Sequence, residues 1–196
     1  MPSLFAPVVP AGALSERPQP RINGHGLLLR PWRELDIPAL IAAYADPVIS
    51  YWHARTFSDP HEVRDWLRRR ERLRLRETAV DWAVVDPADD ATVLGRAGLN
   101  GVDLTEGIAE VAYWTSPEHR RKQVATRALC ALSDWAFDDL GLHRLGLLHS
   151  TRNAGSCQVA QRGLYVAEGT LREQALHPDG WHDMHLHARL ATDPRP

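Results

Sequence analysis

"AEVAYWTSPEHRRKQVATRAL", residues 109–129, is the stretch whose reading decides the fold. Its first part is apolar, aromatic and β-branched, and reads as a strand. Ser116 and Pro117 end that run. Arg120, Arg121, Lys122 and Gln123 follow in a tight loop. From Val124 the pattern turns helical: Val124, Ala128, Leu132, Trp135 and Ala136 share one face, and Gly141 is placed to end the helix. A strand, a short loop and a helix N-terminus together form an anion site. The first helical N–H groups have no intrahelical partners, and the helix dipole adds partial positive charge there. Arg120, Arg121 and Lys122 add full charges. The arrangement suits a pyrophosphate; a solvated basic turn is the other reading of the same residues.

Working outward, "GLLLRPW" (26–32) reads as a first strand and 33–46 as a helix with Pro38 in its first turn. Residues 46–60 read as irregular or a short helix carrying Tyr51, Trp52 and Phe57. Residues 58–77 are a clear amphipathic helix, with Val63, Trp66, Leu67 and Leu73 as its apolar stripe. Its six arginines between 68 and 76 read as a solvated face. Residues 79–87, 92–102 and 107–116 read as an antiparallel meander. A helix over 124–142, a strand at 143–150, a short helix at 153–164 and two closing strands around a Pro-Asp-Gly turn (178–180) complete the chain. The crossover from 107–116 through the helix to 143–150 predicts a parallel strand pair. Residues 1–24, rich in Pro, Ala and Gly, read as a mobile or loosely docked leader, and residues 25–192 as one domain.

The balance of 44% hydrophobic and 24% charged residues fits an ordinary globular chain, and the net charge of −2 offers no basic field for nucleic acid. No run approaches the ~20 apolar residues needed to cross a bilayer. The opening residues lack the basic start of a signal peptide. Cys130 and Cys157 supply neither a disulfide framework nor metal spacing. The expectation is a cytoplasmic protein with free thiols, no membrane and no nucleic-acid partner, and a possible homodimer.

The run 109–129, followed by "STRNAGSCQVAQRGLYVAEGTLRE" (150–173), resembles the GCN5-related N-acetyltransferase (GNAT) superfamily. It looks closest to the branch containing the ribosomal-protein N-terminal (alanine/serine) acetyltransferases. The resemblance covers roughly 26–191 and implies an α/β fold. That fold is a single domain with a mixed, mostly antiparallel sheet of about six to seven strands flanked by helices. A parallel pair is splayed at the cofactor cleft. It also implies acetyl-CoA as co-substrate and a primary amine, on a protein N-terminus or a small molecule, as acceptor.

On that resemblance Arg120, Arg121, Lys122, Gln123, Val124, Ala125 and Thr126 would cradle the pyrophosphate. Gln123 stands where the family has its central glycine, and Arg121 where another glycine is common. Leu164-Tyr165 replaces the usual Gly-Phe. Val111, Tyr113, Trp114 and Thr115 would border the cofactor, and the amide of Val111 or a neighbour would polarise the carbonyl. Asn153 and Ser156 match the family's NxxS: Asn153 would hold the pantetheine arm, and Ser156 would protonate the sulfur. A plain helix cap and a first-turn serine are their structural alternatives. Glu110, a carboxylate within an apolar strand, would be a base acting through water, a substrate-orienting group, or a structural hydrogen-bond partner.

Trp52, His53, Trp181 and Asp183 are candidates for the acceptor side of the cleft. Cys157 reads as a small buried hydrophobe. His185 and His187 share a strand face as a possible metal pair, but no Cys or carboxylate set completes a tetrahedral site, so no metal is expected. Two other functions remain open: a non-catalytic binding module with a decayed loop, and an acyltransferase fed by a carrier protein that docks on the Arg68–Arg76 face.

Overall fold

The computed structural model describes residues 4–195. One eight-stranded sheet runs in the order β1-β2-β3-β4-β5-β6-β8-β7. The strands are β1 (Ile22–Gly24), β2 (Leu27–Arg30), β3 (Ala79–Asp86), β4 (Asp89–Asp103), β5 (Ile108–Thr115), β6 (Arg144–Ser150), β7 (Val166–His177) and β8 (Gly180–Leu190). The helices are α1 (Ile37–Ala45), α2 (Pro47–His53), α3 (Pro60–Leu75), α4 (Val124–Asp138) and α5 (Ala154–Arg162). Every sheet pairing is antiparallel except β5 with β6. The expected meander and the crossover through α4 are both present.

Alternation along β5 divides the molecule. Ala109 and Val111 pack with Ala128, Leu129 and Leu132 of α4. Trp114 points to the other face, where it joins Leu40, Tyr44, Phe57 and Trp66. Proline starts both α2 and α3, and Asp46 and Asp59 cap their first N–H groups. α4 buries nine residues, from Val124 to Phe137, which anchors the helix and fixes where its N-terminus sits.

The leader differs from its expectation. Residues 22–24 form an eighth strand, paired with β2 through a His25-Gly26 turn in which both residues have positive φ. Val9 and Leu14 are buried in the main core. The Glu77 carboxylate accepts from the N–H groups of Gly12, Leu14 and Ser15. Arg74 donates to the carbonyls of Leu14 and Arg17. These prolines and alanines have no periodicity to read, because their partners lie some sixty residues away. The α3 arginine face also differs in part: Arg74 is buried under the leader, and Arg70 pairs with the buried Asp81.

Candidate active site

β5 and β6 pair over only three positions, Ile108–Arg144, Ala109–Leu145 and Glu110–Gly146. Beyond Glu110 the strands part. A cleft of about 810 Å³ opens between Val111–Thr115 on one side and Leu147–Ser150 on the other. The start of α4 and the start of α5 also line it. Past the split, backbone groups of β5 that face β6 have no β6 partner and are open to a ligand.

The loop before α4 keeps a glycine-like backbone without glycine. Arg121 has φ 61° and Gln123 φ 59°. Gln123 is the left-handed N-cap of α4, and no side chain caps the helix. The helix therefore opens with uncapped N–H groups at Val124, Ala125 and Thr126, which border the cleft together with Arg120 and Arg121. Such a turn makes a concave nest of N–H groups for an anion. Each non-glycine residue held there costs on the order of 1–3 kcal/mol.

Arg120 is engaged by Asp46, with Nη2 2.5 Å from Oδ1. Burial would raise the Asp46 carboxyl, but Arg120 and the amides of Ile49 and Val48 outweigh it and hold the group below its ordinary value. One carboxylate thus caps α2 and ties it to the loop before α4. Lys122 is exposed and does not line the cleft.

Glu110 borders the cleft at the split and is half-buried. Burial raises its carboxyl above the usual range. His53 lines the same cleft from α2, near the Tyr113 carbonyl. Burial, and then the charge of Arg96, push its imidazole down to about 4, so it is neutral at physiological pH. Tyr113, from the α4 side of β5, places its hydroxyl 2.8 Å from Ser156 Oγ. Burial pushes the Tyr113 phenol up, against the lowering effect of the Ser156 bond, so it keeps its proton. Asn153 Oδ1 accepts from the Ser156 N–H at 3.0 Å, which makes it the cap of α5 and leaves its NH₂ group for a ligand.

Trp52 lines the cleft, and its ring lies 5.6 Å from His177 of β7. His177 stacks on His182, whose Nδ1 lies 2.8 Å from Ser150 Oγ. Trp181 and Asp183 are not brought into the cleft. Trp181 stands in solvent, and Asp183 accepts from the Glu173 N–H at a β7 irregularity. His149, Ser150 and His177 also line the cleft, and sequence reasoning missed them. No local spacing marks them; only the β6, β7 and β8 registers bring them together.

The family model for the acetyltransferase (GNAT) domain matches residues 26–163. The chain belongs to the GNAT acetyltransferase family. An uncharacterized N-acetyltransferase of Bacillus licheniformis, p20, is 28% identical over 75% of this chain and 83% of its own length. The ribosomal-protein-serine acetyltransferase of Escherichia coli is 28% identical over 50% of this chain and 55% of its own. A ribosomal L7/L12 alpha-N-protein acetyltransferase solved in complex with coenzyme A superposes with a TM-score of 0.76. That match is 19% identical and covers 87% of this chain and 98% of that one. The split sheet thus belongs to a GNAT fold.

Proposed function

We propose that this GNAT protein transfers an acetyl group from acetyl-CoA to a primary amine, by direct attack within a ternary complex. The observation that carries the reading is the split between β5 and β6, with its open strand edge leading to the N–H nest of α4. The residues present fit the donor. The nest and Arg121 suit a pyrophosphate. The unpaired edge of β5 suits the amides of a pantetheine arm, in the manner of an added strand. The cleft volume lies in the range of small-molecule sites.

Acetyl-CoA supplies an activated thioester. The chain supplies the proton traffic. Glu110, ionised, takes a proton from the acceptor amine through water, and its burial raises its basicity for that task. His53, neutral on the same cleft, orients the amine. A β5 amide at Val111 polarises the carbonyl oxygen. The Tyr113–Ser156 hydroxyl pair passes a proton to the departing sulfur and regains one from water as Glu110 releases the amine proton, so that an amide and free thiol leave the site. The acceptor is a protein N-terminus or a small-molecule amine; the ribosomal-protein relatives favour the former. The positive φ of Arg121 and Gln123 weighs against a decayed loop. The internal bonding of Arg70 and Arg74 weighs against a carrier-protein dock on α3.

Glu110→Gln tests the base. Turnover with an amine acceptor is expected to fall by about a hundredfold or more, with acetyl-CoA binding retained. Unchanged turnover removes Glu110 from the mechanism.

A further inference from the structure

Beneath α5, four side chains from three elements converge. His149 of β6 lies opposite His185 of β8 in the sheet register, and His187 follows on the same face. Cys157 reaches them from α5. One ligand atom from each of the four lies within 4.8 Å of the others. The three imidazoles crowd together, with ring centroids 5.1 to 6.1 Å apart.

Two of the histidines are almost wholly enclosed, His149 at 4% and His187 at 3% exposure. In each, Nδ1 faces a backbone carbonyl, Ser150 O at 2.8 Å and Tyr165 O at 3.3 Å. Donation to those carbonyls fixes the tautomer and leaves a lone pair on Nε2. Both Nε2 atoms are buried and have no hydrogen-bond partner. Buried polar atoms are normally paired, so two orphans within one four-residue cluster call for a ligand. A carbonyl behind Nδ1 and a bare Nε2 in front is also how proteins orient a metal-binding histidine. Arg189, next along the same strand face, is turned toward Phe137 and the Pro194 carbonyl.

We infer that His149, Cys157, His185 and His187 form a four-coordinate site for a borderline-soft transition metal, zinc being the best match. Three imidazoles and one thiolate are a donor set of the kind zinc takes. Tetrahedral bonds of about 2.0–2.3 Å place ligand atoms about 3.3–3.8 Å apart, so the cluster needs only small side-chain rotations to close. His185 and Cys157 are half-buried and give the ion a way in. On binding, the thiol of Cys157 loses its proton to solvent, and two metal–nitrogen bonds satisfy the orphaned Nε2 atoms. The ion would pin α5 to the sheet one residue from Ser156. The inference does not depend on the acetyl-transfer reading.

The test is a cobalt(II) titration of the full chain, stripped with a chelator and freed of any purification tag. The expected result is one equivalent bound, with thiolate-to-cobalt charge transfer, the intense visible bands of a four-coordinate ion, and release of the thiol proton. Zinc should displace the cobalt and raise the melting temperature. Cys157→Ser should remove the charge-transfer band. His185→Ala, at the half-buried rim, should weaken binding at least about tenfold. Circular dichroism of the metal-free variants shows that they are folded; if Cys157→Ser is not, His185→Ala decides. Absence of cobalt binding, or spectra and affinity untouched by either substitution, overturns the site.

Discussion

At the N-terminus of α4, Arg121 and Gln123 hold positive φ with full side chains attached. The carbonyl crowding that glycine avoids is present at both. If the anion nest is made of backbone N–H groups, the side chain of Gln123 is dispensable. Gln123→Gly is therefore expected to raise stability by about 1 kcal/mol, the relief of strain less the extra chain entropy of glycine. Coenzyme A affinity should hold or improve. Calorimetric unfolding and a binding titration of the variant check both; a loss of affinity would assign the contact to the glutamine side chain.

Glu110 adds an electrostatic readout at the same scale. Its raised carboxyl means that the folded protein favours the protonated form more than the unfolded chain does. That contribution is full at pH below the ordinary carboxylate range and is lost as pH rises through the raised value. Glu110→Gln should therefore melt higher than the parent at neutral pH, with little difference in acid, even as turnover falls. Equal shifts at both pH values would contradict the account of burial as the cause.

Among the elements, the leader shows how far tertiary contacts carry a segment with little intrinsic pattern. Leu14 is 4% exposed, and the backbone around it is held by Glu77 and Arg74. Leu14→Ala should cost about 2–5 kcal/mol in denaturant unfolding, as for other core leucines. A change near zero would mean that the leader does not share the core. The β5–loop–α4 unit was legible in the sequence because its period changes from strand to helix within one turn of chain. Glu110, Tyr113, Asn153 and Ser156 could be placed on their elements for the same reason. The short strand β1 was not, since three residues between Pro20 and His25 carry no alternation. His149 and Cys157 were not legible as partners of His185 and His187 either. Their proximity follows from the β6–β8 register and the docking of α5, which no local spacing encodes.

For the whole molecule, the proposed reaction divides between the two faces of the sheet. The α1–α3 face carries Glu110 and His53, with Trp52 at the edge, and suits an amine acceptor. The α4–α5 face carries the anion nest, Tyr113 and Ser156, and suits an acyl donor. The two meet only because β5 and β6 separate after Glu110. Among the described residues no helix is long and apolar enough to cross a membrane.

The reaction proposed here requires that this split and its glycine-free nest hold a pyrophosphate-bearing thioester. The direct measurement is a calorimetric titration of the protein with acetyl-CoA, coenzyme A and pantetheine in parallel. Saturable one-to-one binding of acetyl-CoA and coenzyme A is expected, and its loss with pantetheine, which lacks the pyrophosphate. Binding of none of the three, or equal binding of pantetheine, would contradict it.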